Sequence, residues 1–269
     1  MSKISRRKFI KRGVIASIGL LLIDCLWFEK YVIDWNHYDI SKQKNKLKII
    51  QISDLHIGSI RYFHKSIANK INKLKPDLIF ITGDSVDENS NLNNLDDFLN
   101  LIEKNIPKYA ITGNWEYWGN IDLKELNNIY TKHNCELLIN ENRVIKINDR
   151  NLSIIGIDDF VGGHADFQKA TKSLKPQETN IVLSHCPEHR DVIKKDLNNL
   201  KIDLILSGHT HGGQVNLLGF VPFKPKGSGK YLKGWYDKSN PKMYVSKGIG
   251  TSVIPIRLGA RAEMVEILI

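Results

Sequence analysis

The sequence predicts a layered α/β domain with at least partly parallel sheets, and two observations carry that prediction. Short apolar runs of strand length alternate with stretches of helical spacing from about residue 47 to the C-terminus. Asp, Asn and His residues recur just past the carboxyl ends of those runs, where open α/β sheets bind ligands. A chain of 269 residues with 42% apolar side chains suffices for one sizeable domain behind a short leader.

The leader comes first, over residues 1–29. Ser5-Arg6-Arg7-Lys8-Phe9-Ile10-Lys11 resembles a twin-arginine export signal, an address read by a receptor. Residues 13–28 then form an apolar stretch interrupted only by Asp24. As a helix they would span about 24 Å, short of the roughly 30 Å hydrocarbon core. No small-x-small cleavage site follows. The reading is an uncleaved membrane anchor, with a cleaved leader or an amphipathic surface helix as alternatives. The basic N-terminus would stay inside, placing the domain on the extracytoplasmic side; the cytoplasmic face of the inner membrane is the alternative. Residues 30–46, polar and lysine-rich, read as a linker onto a domain over 47–269.

Residues 47–52 are a strand ending at Ser53-Asp54-Leu55-His56. A helix over 62–74 stops before Pro76, and a buried strand over 78–81 ends at Gly83-Asp84. Residues 92–102 have helical spacing; 109–111 form a third strand, ending at Gly113-Asn114-Trp115-Glu116. A helix over 123–130 leads to strands over 142–148 and 152–157, with a turn at Asp149-Arg150. Residues 181–183 end at Ser184-His185, 192–200 read as a helix, and 204–206 lead into Gly208-His209-Thr210-His211-Gly212-Gly213-Gln214. Short strands at 244–245 and 264–269 close the chain. Residues 220–235, rich in Gly and Pro with Lys224, Lys226, Lys230 and Lys233, read as a long mobile loop able to meet an anionic substrate or lipid head groups.

Charge and cysteine content exclude some functions. The net charge is +10, but Lys3, Arg6, Arg7, Lys8, Lys11 and Arg12 crowd the first twelve positions, leaving about +4 for the rest. Scattered lysines without interleaved aromatics disfavour a nucleic-acid binder. Cys25, Cys135 and Cys186 are too scattered for a disulfide framework or a thiolate zinc site, and Cys25 sits in a poor lipobox behind Asp24.

Asp54, His56, Asp84, Asn114, His185, His209 and His211 all lie at strand ends. Mixed nitrogen and oxygen donors without thiolates suit manganese, iron or zinc. Two ions close together need a carboxylate that shares its oxygens between them. Asp-x-His, Gly-Asp, Gly-Asn, a lone His and Gly-His-x-His, in that order, resemble the calcineurin-like metallophosphoesterase family. The resemblance runs from about Lys48 to the C-terminus. It is strongest to a bacterial exported or membrane-anchored branch, through Gly156-Ile157-Asp158-Asp159 and the glycine/arginine tail from Ser246 to Gly259.

The resemblance implies an α/β/β/α sandwich with two central mixed sheets and a dimetal site at the carboxyl ends of the strands. It implies Asp54, His56 and His211 on one ion, Asn114, His185 and His209 on the other, and Asp84 bridging. The expected activity is phosphoester hydrolysis of phosphodiesterase or pyrophosphatase type, in which a hydroxide bridging the two ions attacks phosphorus. Asn114, His164 and His209 are the expected catalytic residues. Where the family has a His after Gly-Asn, thought to protonate the leaving oxygen, this chain has Trp115, and an indole N–H cannot supply that proton. Three readings follow: a leaving group that departs unaided, His164 as substitute acid, or a catalytically weak metal- and phosphate-binding module. A UDP-2,3-diacylglucosamine pyrophosphatase-like enzyme of lipid A synthesis is the named alternative.

Overall fold

The computed structural model describes residues 5–269; Lys3 of the basic leader lies outside them. Twelve strands arise in chain order: β1 (Asp34–Asp39), β2 (Lys48–Ile52), β3 (Leu78–Thr82), β4 (Lys108–Ile111), β5 (Cys135–Leu137), β6 (Glu141–Ile147), β7 (Arg150–Gly156), β8 (Thr179–Leu183), β9 (Leu204–Ser207), β10 (Gly234–Tyr236), β11 (Met243–Val245) and β12 (Glu263–Leu268). They form two six-stranded sheets, ordered β1-β12-β2-β3-β4-β5 and β10-β11-β9-β8-β7-β6. Strands β2 to β5 run parallel beside an antiparallel β12, and β7, β8 and β9 run parallel beside an antiparallel β6. The mixed two-sheet architecture matches the expectation.

Strands buried on both faces are largely apolar, because successive side chains point to opposite sides and each side meets a core. In β2, Ile49 enters the core between the sheets with Phe80, Ile154, Ile181 and Leu206. Its neighbours Ile50 and Ile52 instead meet Ile67, Ile71, Leu95 and Phe98 of the helices Tyr62–Leu74 and Leu92–Asn100. Across the sandwich, Ile155, Val182 and Ile205 pack on Phe167 and Ile193 of helices Phe167–Thr171 and His189–Lys195. Four layers result, α/β/β/α.

Three segments differ from the sequence reading. The stretch read as a linker carries β1, an edge strand parallel to β12. Trp35 packs on the helix-side core and Tyr38 on the inter-sheet core, but its other side chains are polar, and that hid the strand. The helix read over 192–200 runs His189–Lys195, since Asn198 and Asn199 adopt φ of 45° and 69°. The loop over 220–235 is tied down: Tyr231 is buried, its hydroxyl donates to Asp191 at 2.6 Å, and residues from Gly234 form β10.

At the N-terminus a helix spans Arg6–Ile23, capped by Ser5, and continues through the turn Asp24–Phe28 to Glu29–Tyr31. Among the described residues no helix is long and apolar enough to cross a membrane. The basic residues Arg6 to Arg12 occupy its first two turns, leaving an apolar remainder too short to span the hydrocarbon core, as its length in the sequence implies. Its far end is fixed to the domain. The Arg257 amide donates to the Cys25 carbonyl at 3.0 Å, and the Glu29 carboxylate accepts from the amides of Gly259 and Ala260 at 2.8 and 2.9 Å.

Candidate metal centre

The parallel strands of the two sheets point their carboxyl ends at one volume. Asp54 and His56 follow β2, Asp84 follows β3, and Asn114 follows β4. From the other sheet, His185 follows β8, and His209 and His211 follow β9. The ligand atoms form two groups, Asp54 with His56 and His211, and Asp84 with His185 and His209; within each, all atoms lie within 4.8 Å of one another. Asp84 Oδ2 lies 3.1 Å from His185 Nε2 and 3.7 Å from His56 Nε2, so it stands between the groups. Asn114 Oδ1 joins the second group, 2.7 Å from His209 Nδ1.

The outward hydrogen bonds fix which imidazole nitrogens face inward. His56 Nδ1 meets Asp87, His185 Nδ1 meets the Thr82 carbonyl at 2.7 Å, and His209 Nε2 meets the Lys226 carbonyl at 2.8 Å. An oxygen acceptor on one ring nitrogen holds the proton there and leaves a lone pair on the other. His56 Nε2, His185 Nε2 and His209 Nδ1 therefore present lone pairs inward, beside the oxygens of Asp54, Asp84 and Asn114. His185 Nε2 is buried with no hydrogen-bond donor, and the Nε2 atoms of His56 and His211 face each other at 3.1 Å. A buried imidazole lone pair without a donor, as at His185 Nε2, is costly alone and is satisfied by a cation. The residues fit a pair of divalent ions.

A cation at the site would take the place of the proton that the carboxylates otherwise favour on some of these imidazoles. Burial opposes a charged imidazole at His185, but the Asp84 carboxylate overrides it and holds the pKa well above the ordinary value. His211 goes the other way: burial, then the charges of His56 and Arg257, press it well below.

The backbone is strained to bring these groups together. Asp54, His56, Asp84, His209 and His211 have φ of 51°, 42°, 52°, 72° and 50°, a left-handed region uncommon outside glycine and concentrated at functional sites. Two glycines permit the close approach. At Gly83, with φ of 88°, a Cβ would lie 2.7 Å from both the Gly113 amide nitrogen and His185 Nδ1. At Gly208 a Cβ would lie 1.9 Å from Ser53 Oγ and 2.3 Å from Asp54 Oδ2. Gly208→Ala is expected to displace the Asp54 carboxylate and lower kcat by about 10²-fold or more. Steady-state kinetics with saturating metal, alongside a far-ultraviolet spectrum showing the retained fold, checks this.

Two residues that sequence reading left without a role support the site. Glu116 is buried, and its carboxylate accepts from the amides of Asp84, Ser85 and Gly113 at 3.1, 2.7 and 2.7 Å. Burial and the Asp84 charge push its pKa up to about 7. Its signal was present in the sequence: a Glu three residues after the Gly113 cap is a helix-start pattern. Arg257, also fully buried, donates to the carbonyls of Lys247, Gly248, Gly250 and Ala260, and its Nη2 lies 3.3 Å from His211 Nδ1.

The structure does not bring His164 into this cluster. The residue is exposed and held through its backbone, its amide donating to Asp158 and its carbonyl accepting from Asn140. No hydrogen bond among the described residues joins its imidazole to the metal-site side chains. Trp115 is central: its amide donates to Asp84 Oδ1 at 2.9 Å, its ring stands edge-on to His56 at 6.0 Å, and its indole N–H donates to Ser252 Oγ at 3.1 Å.

Known proteins resemble this chain. The sequence profile of a family described as calcineurin-like phosphoesterase matches residues 47–213. An uncharacterized metallophosphoesterase of Bacillus subtilis (strain 168), YkoQ, is 30% identical over 230 residues, covering 82% of this chain and 83% of the relative. A second from the same strain, YkuE, is 29% identical over 284 residues, covering 98% and 97%. One crystal structure superposes with a TM-score of 0.50 at 12% identity, over 74% of this chain and 90% of that one, a likeness of fold.

Proposed function

The chain belongs to the calcineurin-like phosphoesterase family and is a metal-dependent phosphoester hydrolase, and from that premise we propose that it cleaves phosphodiester or pyrophosphate bonds whose leaving group departs without a proton. Asp54, His56 and His211 would hold one ion, Asn114, His185 and His209 the other, and Asp84 would contact both. When bound, such a pair acidifies water toward neutral pH and takes up charge on the phosphoryl oxygens. The chain's own groups do the rest. The carbonyls of Thr82 and Lys226 and the Asp87 carboxylate keep the imidazole lone pairs inward, and the Trp115 amide orients the Asp84 carboxylate.

The observation that carries the leaving-group reading is Trp115. Its N–H is engaged by Ser252, and an indole could not release a proton in any case. General acid catalysis contributes roughly 10²–10⁴ where the leaving group is a poor one. Phosphate-type and aryl leaving groups need far less help than an alkoxide. Assayed with manganese, a pyrophosphate diester and an aryl phosphodiester are expected to turn over about 10²-fold or more faster than an alkyl monoester. Trp115→His is expected to narrow that gap, and His164→Ala to leave it unchanged. Equal rates on all three substrates would defeat the proposal; a rate loss in His164→Ala would restore that residue as the acid.

We also propose that the protein works at the cell membrane, its domain on the extracytoplasmic side. Leu20, Leu21, Leu22 and Ile23 are consecutive and all exposed, which at 100° per residue leaves apolar side chains around the whole circumference of the helix. So much exposed apolar surface favours a lipid interface, into which a helix too short to span still sinks. The twin-arginine-like leader supports the sidedness, and protease access to the domain in intact cells tests it.

A further inference from the structure

Apolar side chains also stand exposed on two loops at the metal centre. Leu217, Leu218, Phe220 and Phe223 project from the chain following the histidine loop, and Val253 and Ile254 from the loop following Gly250. Leu218 is fully exposed and Val253 is 86% exposed. These tips are parts of one framework. The Gln214 amide group donates to the carbonyls of Ser252 and Ile254 at 2.9 and 2.8 Å, and the Ser252 amide donates back at 2.9 Å. Ser252 in turn accepts the indole N–H of Trp115, whose backbone holds Asp84. A few residues further on, Arg257, Gly259 and Ala260 bind the end of the N-terminal helix through Cys25 and Glu29. The unpartnered helix and both apolar tips are thus fastened to the same stretch, residues 252–260.

A cavity of about 330 Å³ lies beside this stretch, bounded by Lys30 and Tyr31 at the helix end, by His56 and Arg61, and by Gly250 and Thr251. It touches a candidate metal ligand, carries two cationic side chains, and has one wall made by the chain emerging from the apolar helix.

We propose that the mouth of the metal centre is itself turned onto an anionic lipid bilayer through Leu217, Leu218, Phe220, Phe223, Val253 and Ile254, and that its substrate is the phosphoester or pyrophosphate head group of a membrane lipid. This rests on the hydrolase reading above and specifies its substrate class. The occupant follows from the helix, exposed on every side and fixed to the same loop, and from charge. Arg6, Arg7, Lys8, Lys11 and Arg12 open the helix, and Lys224, Lys226 and Lys233 stand exposed around the apolar tips. Apolar tips among basic side chains are the pattern of an interfacial contact with anionic lipid.

The test uses the full chain, whose three native cysteines are buried. Leu218→Cys, Val253→Cys and, as a distant exposed control, Asp149→Cys are each labelled with a polarity-sensitive fluorophore and mixed with phosphatidylglycerol–phosphatidylcholine vesicles. Emission at positions 218 and 253 is expected to shift to the blue, rise about twofold or more, and be quenched by brominated acyl chains, while position 149 stays unchanged. Labels that remain in water while the chain sediments with vesicles overturn the proposal, and so does a chain that does not sediment. A signal that grows with protein concentration without vesicles also overturns it, assigning the face to a second copy of this chain. Hydrolysis of a soluble aryl phosphodiester by the same labelled chains reports on the hydrolase reading independently.

Discussion

Asp84→Asn is expected to lower phosphoester hydrolysis by about 10³-fold or more, and to cut bound metal from about two ions per chain to about one. The Asp84 carboxylate faces both ligand groups, with Oδ2 set between His185 and His56. Asparagine is the informative replacement because it tolerates the φ of 52° that Asp84 adopts. It also keeps a carbonyl oxygen for the Trp115 amide that now donates to Oδ1. What it loses is the negative charge and the second oxygen, the two properties a shared ligand needs. Metal content measured by elemental analysis, with kcat and thermal unfolding on the same preparation, separates the effects. A variant that keeps full activity with both ions would remove Asp84 from its proposed place. A variant that loses both metal and fold would show the residue to be structural.

How much of this was legible in the sequence depends on what each residue does. The fold was readable where strands are buried on both faces, since continuous apolar runs such as Leu78 to Ile81 allow few other fates. The candidate ligand positions stood out because chemistry-bearing side chains break those runs at one end, strand after strand, and the fold gathers them into two groups. Strand β1 was not, because an edge strand satisfies its exposed side with polar residues and so resembles a tether. The restraint of Lys226 and Tyr231 was also hidden: His209 and Arg190, which bind them at 2.8 Å each, are remote in sequence. Trp115 was legible as a departure from a pattern, while its contact with Ser252 needed the fold. The leader's apolar stretch was legible as too short to span, while the contacts that bind its end to residues 257–260 carry no local signature.

The second large effect concerns a residue that touches no substrate. Glu116 stands one position after the altered Trp115, and its buried carboxylate gathers three backbone amides from two loops, those of Asp84, Ser85 and Gly113. Those loops follow β3 and β4 and carry Asp84 and Asn114, so this carboxylate fixes the spacing between the two ligand positions. Removing it leaves buried N–H donors without a partner, at about 1–3 kcal/mol for each. Glu116→Ala is therefore expected to lower the unfolding free energy by roughly 3–5 kcal/mol, because the site relaxes only in part and water reaches some of the donors. Glu116→Gln preserves the volume and one carbonyl oxygen and should cost about half as much. Metal affinity should fall in the same order, since a loosened Asp84 loop must be reordered by the ions it binds. Denaturant titrations of both variants, with and without manganese, measure the two quantities together. An alanine variant as stable as the parent, with unchanged metal affinity, would mean that the amides of Asp84, Ser85 and Gly113 hold their loops unaided and that Glu116 positions nothing.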